Sequence, residues 1–210
     1  PPPAMPSCQH HYDNGAHTSG DYSIIVNGAE ITVYCDMRHE GGGWTRVARG
    51  IGGQHKMRMV SSAASNVNSV TMAPNDGSTY KLSDATINAI PKRSYWFRGL
   101  KTTMAGEQNW YWDATSCVYN SEQDATGACT TATWRDPEGK LGQCPGEVHG
   151  NHHGVSGWMS TSGGCLHSAH TGDGWYIRQE NCDACGGHGT GYCHGGDSGC
   201  DVELYVGGLP

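Results

Sequence analysis

The chain has 210 residues, a length that suits a single domain. Its 32 glycines and its hydrophobic content of 36% predict a thin apolar core and a large share of turn and loop. The formal net charge of −7 argues against a nucleic-acid partner, and no apolar run approaches the ~20 residues that a membrane-spanning helix needs.

Ten cysteines are distributed from Cys8 to Cys200. Scattered cysteines in even number favour disulfide bonds, because a thin core needs further braces and disulfides persist in oxidising compartments. We therefore expect a secreted, extracellular protein. The proline-rich start lacks the basic and apolar stretches of a signal peptide, so we expect that a leader has been removed.

Residues 1–7 are rich in proline and predict an extended arm ahead of the domain. Next, the β-branched and aromatic residues 22–26 and 31–34 flank a turn at residues 27–30, which contains Asn-Gly, and this pattern is typical of a β-hairpin. A glycine turn at residues 41–43 then leads into a further strand at residues 44–48.

The middle of the chain predicts one short helix and one core strand. Ser83 and Asp84 can cap a helix that runs to Ile90 and is ended by Pro91. The apolar and aromatic residues 95–100 predict a core strand, and residues 201–206 predict a final strand that returns to the core. The predicted fold class is α+β, an antiparallel sheet with short helices.

The opening of the chain resembles a fibrinogen-related domain. The resemblance rests on Ser-Gly-Asp-Tyr at 19–22, Val-Tyr-Cys-Asp-Met at 33–37 and Gly-Gly-Gly-Trp-Thr at 41–45. It implies a single fibrinogen C-terminal-like domain over residues 8–210, and it implies that Cys8 pairs with Cys35. We interpret these motifs as structural, since a disulfide, a tight turn and a buried tryptophan perform no chemistry.

From Cys117 onward the chain holds eight of its ten cysteines and many glycine pairs, which predict a large irregular second half. Residues 181–189 (Asn-Cys-Asp-Ala-Cys-Gly-Gly-His-Gly) are similar to the calcium segment of intelectins, which share the fibrinogen-like opening. That resemblance implies that His194, Asp197 and Asp201 complete a calcium site. The closely spaced aspartates of the ficolin calcium loop are missing here.

Oxygen-bearing side chains near the end of the chain also favour calcium on chemical grounds, because Ca²⁺ takes six to eight oxygen ligands. The predicted metal ligands are Glu180, Asn181, Asp183, Asp197, Asp201 and Glu203. Two neighbouring sugar hydroxyls can replace two waters on such an ion, and aromatic rings can stack on a sugar. The predicted sugar-binding residues are Trp175, Tyr176, His188, Tyr192, His194 and Asp197.

These residues predict a calcium-dependent lectin that is not an enzyme and that binds glycans, with terminal galactose favoured over other diol-bearing sugars. Because a single shallow sugar site binds weakly, we expect a homodimer or a higher oligomer. The first alternative is an extracellular fibrinogen-like module that binds protein. A calcium-independent interaction would separate that alternative from the lectin.

A zinc-dependent extracellular hydrolase is the remaining alternative. Cys182, Cys185, Cys193 and Cys200 have spacing that could bind zinc, although in a secreted chain four such cysteines more often form two disulfides. The polar segment 149–153 contains three histidines that could bind a transition metal. The Gly-Asp-Ser-Gly sequence at 196–199 is similar to the nucleophile segment of serine proteases, but no other motif of such an enzyme accompanies it. The chain also lacks the His-Glu-x-x-His and Gly-x-Ser-x-Gly motifs of hydrolases.

Overall fold

A computed structural model describes residues 2–50, 80–101, 107–113, 133–135, 141–143, 158–160, 165–167, 176–178 and 200–208. These ranges contain two α-helices, α1 (Cys8–Asp13) and α2 (Asp84–Ala89), and a 3-10 helix at His39–Gly41. The strands are β1 (Gly20–Val26), β2 (Ala29–Asp36), β3 (Trp44–Gly50), β4 (Tyr80–Lys81), β5 (Ser94–Lys101), β6 (Glu107–Asp113), β7 (Thr133–Arg135), β8 (Leu141–Gln143), β9 (Trp158–Ser160), β10 (Cys165–His167), β11 (Tyr176–Arg178) and β12 (Cys200–Gly207).

Within the described ranges, nine strands form one antiparallel sheet. Eight of them lie side by side in the order β1-β2-β3-β12-β5-β6-β7-β8, and β4 pairs with β3. A second sheet has the order β10-β9-β11, in which β10 is antiparallel and β11 parallel to β9. The predicted fold class, an antiparallel sheet with short helices, is confirmed.

Helix α1 attaches the start of the chain to the sheet. Ser7 caps the helix, since its side chain accepts a hydrogen bond from the backbone N–H of His10. At the first helical position, Cys8 forms a disulfide with Cys35 of β2, so the pairing expected from the sequence is confirmed. The sequence does not predict this helix, because its six residues are too few to show a helical repeat.

The hairpin predicted from Asn-Gly is present as β1 and β2. Val26 lies opposite Ala29, so the connection is the two residues Asn27 and Gly28 rather than the four residues 27–30. Asn27 and Gly28 have φ angles of 52° and 78°, which is the left-handed pair that a type I′ turn requires. The twist of this turn matches that of the flanking strands, which fixes their register.

The triple glycine before β3 packs closely against α1 and the residue that follows β2. Gly42 and Gly43 both have φ near 80°, at 80° and 76°, a region that side chains rarely adopt. A Cβ atom on Gly42 would lie 2.6 Å from the carbonyl oxygen of Met37, and one on Gly43 would lie 2.9 Å from the Cα atom of Gln9 in α1. The turn is therefore specified both by backbone geometry and by space.

The bounds of helix α2 and strand β5 lie within one residue of those predicted from the sequence. The Ser83 side chain accepts a hydrogen bond from the N–H of Thr86, which confirms the predicted cap, and Ile90 ends the helix in extended backbone before Pro91. Lys92 then donates to the carbonyl oxygens of Ile87, Asn88 and Ile90 at 2.9, 3.1 and 3.3 Å. The last carbonyl groups of a helix have no N–H partner within the helix itself, so Lys92 stabilises this end of α2.

Strand β12 lies at the centre of the large sheet although it is the last strand in the chain. It pairs with β3 on one side and with β5 on the other, both antiparallel. Leu204, Tyr205 and Val206 are at most 1% exposed, so the predicted return of this strand to the core is confirmed. The core therefore depends on residues from both ends of the chain.

Candidate functional site

A buried ion cluster joins the three central strands β3, β12 and β5. Its acceptor is the Glu203 carboxylate of β12, which is 5% exposed as a side chain. One oxygen lies 2.7 Å from Nη1 of Arg46 in β3, and the other lies 3.1 Å from Nη1 of Arg98 in β5. Nε of Arg49 is 3.6 Å from the first oxygen, and the hydroxyl of Tyr205 donates to the second at 2.9 Å.

A β-bulge brings two arginines of β3 to the same side of the sheet. In a regular strand, residues three apart point to opposite faces. Here Glu203 lies opposite Arg49, whereas Tyr205, two residues further, lies opposite Arg46 because the register shifts by one residue between Leu204 and Tyr205. Bulges re-aim side chains in this way. Both guanidinium groups can therefore approach one carboxylate.

Tyrosine side chains surround the buried Arg46. Its Nε donates to the Tyr80 hydroxyl at 3.0 Å, and its guanidinium lies 4.5 Å from the ring centre of Tyr34. Burial raises the pKa of Tyr80 to about 12, although Arg46 opposes that shift. Burial and the Glu203 carboxylate also raise the pKa of Tyr205 well above its ordinary value. At neutral pH both tyrosines therefore remain neutral hydrogen-bonding groups.

An aromatic cluster continues from Tyr205 along the same strands. The ring of Trp96 stacks on Tyr205 at 4.3 Å between centroids and on His39 at 3.8 Å. His39 also hydrogen-bonds the hydroxyl of Tyr111, and the indole N–H of Trp44 donates to the His39 carbonyl oxygen at 3.0 Å. Trp44 and Trp96 are buried, whereas His39 and Tyr111 are half-buried.

The partly exposed members of the two clusters form what we call the aromatic–arginine face. Its members are Tyr34, His39, Arg49, Arg98 and Tyr111. The side chains of Arg49 and Arg98 are 22% and 24% exposed. Because the buried groups beneath them are held by hydrogen bonds and ring stacking, these five side chains are presented on a rigid base.

The structure describes only part of the predicted calcium and sugar site. The backbone of Tyr176 lies in β11, and that of Asp201 lies in β12 opposite Leu100. The remaining predicted residues, apart from Glu203, lie outside the described residues; they are Trp175, Glu180, Asn181, Asp183, His188, Tyr192, His194 and Asp197. Their assignment to calcium and sugar stays a prediction.

Glu203 requires a correction. The sequence placed it among the calcium ligands, but both of its carboxylate oxygens accept hydrogen bonds from arginine in the buried cluster. A carboxylate that compensates arginine charge in this way is not available to an ion, so Glu203 leaves the predicted ligand set. Inside the ranges that the structure describes, no three His, Cys, Asp or Glu side chains gather in a way that could hold a metal.

The family comparison agrees with the fold of the first part of the chain. Residues 4–63 match the model of the fibrinogen beta and gamma chains, C-terminal globular domain. This range includes α1, the disulfide, the hairpin and β3. No curated protein matches the sequence.

Solved structures resemble the whole chain at low sequence identity. The fibrinogen-like globe domain of human ANGPTL6 is 13% identical with a TM-score of 0.51, and the match covers 100% of this chain and 98% of that one. The corresponding domain of human ANGPTL2 is 13% identical with a TM-score of 0.50, covering 98% and 100%. Lamprey fibrin D-dimer, in complex with the peptide ligand Gly-His-Arg-Pro-amide, is 15% identical with a TM-score of 0.52, covering 100% and 76%.

The fold is fibrinogen-like. The motifs that suggested this fold have the structural roles expected of them, since Cys35 forms the disulfide and Trp44 is buried at the glycine turn. In the described part of this fibrinogen-like chain, neither α-helix has the length and apolar character needed to cross a membrane.

Proposed function

We propose that this fibrinogen-like domain is a non-catalytic, extracellular recognition module that binds a protein ligand through the aromatic–arginine face. The observation that carries the proposal is the composition of that face, which presents Tyr34, Tyr111, Arg49 and Arg98 together on rigid strands. Tyrosine and arginine are enriched among the residues that contribute most to protein–protein binding. Their pre-ordering lowers the entropy lost on association.

The chemistry of the cluster supports binding rather than catalysis. Glu203 is held by arginines, and Tyr80 and Tyr205 keep their protons at neutral pH. Such groups hold strands together and transfer no proton. The buried disulfide supports an extracellular setting, since disulfides persist in oxidising compartments. The lamprey fibrin D-dimer shows that a protein of this fold binds a peptide.

The test probes an array of purified extracellular proteins with the domain, in calcium and in EDTA. We expect at least one specific protein ligand whose binding survives EDTA. Replacement Arg49→Ala should weaken that binding by ~30-fold or more, the effect typical of a central arginine in an interface. The matched control is Arg93→Ala, because Arg93 is also exposed but lies outside the face.

The proposal would be refuted if binding were unchanged in three variants that each keep normal thermal stability: Arg49→Ala, Arg98→Ala and Tyr111→Ala. Thermal melts must accompany the binding measurements because Arg49 and Arg98 also approach Glu203. If an arginine variant loses both binding and stability, the Arg→Lys variant at that position is measured instead, because lysine retains the charge but not the planar donor pair.

We propose calcium-dependent sugar binding as a second function, supported by the oxygen-rich sequence of residues 180–201 alone. Terminal galactose is the favoured sugar, because its neighbouring 3- and 4-hydroxyls are cis. On a glycan array, Asp183→Ala or Asp197→Ala should abolish binding together with calcium affinity, whereas Trp175→Ala or Tyr192→Ala should weaken only sugar binding. A domain that binds no glycan in calcium would refute this second function and leave the first untouched.

A further inference from the structure

The outer side of β1 is occupied by one residue of the N-terminal arm. Strand β1 ends the large sheet, and its inner side pairs with β2. On its outer side, Met5 forms a parallel bridge with Ile24. The N–H of Met5 donates to the Ser23 carbonyl oxygen at 3.2 Å, and the N–H of Ile25 donates to the Met5 carbonyl oxygen at 2.8 Å.

The arm cannot extend this pairing toward α1. The next residue, Pro6, has no N–H group, and Ser7 already caps the helix. His11, which is buried in α1, donates from its ring to the same Ser23 carbonyl oxygen at 2.8 Å. Helix and arm therefore meet at Ser23, and Met5 alone joins the arm to the edge as a strand would.

An uncovered sheet edge is a template for pairing with another strand. Strand β1 also carries Ile25, which is 47% exposed. Within the described ranges it is the one large apolar residue that is exposed to this degree. We infer that Met5 seals the edge of β1, and that opening this seal allows β1 to pair with β1 of a second copy of this chain.

Antiparallel pairing about a twofold axis at Ser23 suits the side chains of β1. In that register Ser23 faces Ser23 of the second copy, and Asp21 faces Ile25. The N–H of the partner's Ser23 replaces that of Met5 on the Ser23 carbonyl oxygen, while His11 keeps its own hydrogen bond to that oxygen. Asp21 is the one charged residue of the strand, so no like charges oppose each other. Residues 21, 23 and 25 share one face because the side-chain period is two, and Ile25 becomes partly covered.

The experiment removes the Met5 N–H group and measures mass by analytical ultracentrifugation over a range of concentrations. At high concentration we expect the Met5→Pro variant to have twice the mass of the unchanged protein. Ala4→Pro is the matched control, since it adds a proline one residue earlier without removing a hydrogen bond of the edge, and it should leave the mass unchanged.

Charge substitutions at Ile25 in the Met5→Pro background test the register. Ile25→Glu places a carboxylate opposite Asp21 of the second copy and should restore the original mass, whereas Ile25→Lys should preserve the doubled mass. A folded Met5→Pro variant with the original mass overturns the inference, and so does a doubled mass that neither Ile25 substitution changes.

Hydrogen exchange on the unchanged protein provides a measurement that does not depend on folding of the variant. The Ile25 amide should exchange at least tenfold more slowly than an exposed amide, because Met5 accepts its hydrogen bond. Exchange of this amide at the rate of an unfolded peptide would show that the seal does not exist.

Discussion

Glu203 shows how one side chain can connect distant parts of the sequence. Its partner Arg46 is 157 residues away in the chain and Arg98 is 105 residues away. Burial makes this carboxylate important, because Arg46 is 4% exposed and its charge needs compensation. The signal in the sequence is an acidic residue inside an apolar strand, directly before Leu204, Tyr205 and Val206.

The first prediction concerns removal of that charge. Glu203→Gln should lower the free energy of unfolding by about 3 to 5 kcal/mol, because it removes the buried carboxylate that compensates the charge of the Arg46 guanidinium. Chemical denaturation measures the change. The control Glu30→Gln removes an exposed carboxylate at the hairpin and should change stability by less than about 0.5 kcal/mol. Equal stabilities for the two variants would contradict the role of Glu203.

The second prediction concerns alkaline pH. The pKa of Tyr80 is raised from 10.0 to about 12 in the folded protein. As pH rises through 10, tyrosine in the unfolded chain loses its proton while folded Tyr80 keeps it, so stability falls until folded Tyr80 also ionises near pH 12. Each such group contributes about 1.4 kcal/mol per pH unit.

Urea unfolding at several pH values between 10 and 12 tests this expectation. In the Tyr80→Phe variant the free energy of unfolding should fall less steeply with pH. The difference in slope should correspond to close to one proton, once the lower stability of the variant at neutral pH is taken into account. Tyr34 and Tyr205, whose pKa values are also raised by burial, remain in both proteins and contribute to the residual slope. Identical slopes would show that Tyr80 does not carry the shift.

Secondary-structure elements of this protein are specified largely by their ends and turns. Ser83 and Pro91 bound α2, and the Asn27-Gly28 turn sets the register of β1 and β2. These are local effects, so the sequence predicts them well. The register shift between β3 and β12 is different, because a bulge is decided by two strands that meet only in the folded protein.

The third prediction compares two glycines with similar backbone angles. Gly28 and Gly208 have φ angles of +78° and +76°, but a Cβ atom would have free space at Gly28 and would overlap the buried Trp44 ring at Gly208. Gly28→Ala should therefore cost about 1 to 2 kcal/mol from backbone strain alone. Gly208→Ala should cost about 1 to 3 kcal/mol more through overpacking. Chemical denaturation of the two variants side by side gives the difference, and equal costs would exclude the packing contribution.

At the scale of the whole molecule, the first and last segments of the chain complete one sheet. Strand β12 separates β3 from β5, so the two parts of the sheet join only when residues 200–207 are in place. Pairing between segments so distant in sequence carries a large loop-closure entropy, and folds of this kind form slowly. The disulfide then restrains the N-terminal part independently of β12.

The fourth prediction concerns this disulfide. Its cysteines are 27 positions apart, and a closed loop of that length stabilises the folded state by about 3.5 kcal/mol in the chain-entropy model. The double variant Cys8→Ala/Cys35→Ala should lose about that much stability in chemical denaturation. Both cysteines are fully buried, so the double variant also loses some packing. Unchanged stability would mean that the bond does not restrain the unfolded chain.

The sequence by itself determined the hairpin, the α2 cap, the strands β3 and β5 and, through the fibrinogen-like resemblance, the pairing of Cys8 with Cys35. Local turn chemistry, or the motifs of a fibrinogen-related opening, specify each of these features. Only the tertiary structure decided that β12 lies in the middle of the sheet and that Glu203 faces arginines rather than an ion. The physical reason is that burial and charge pairing depend on which distant strands become neighbours, and no short stretch of sequence contains that information.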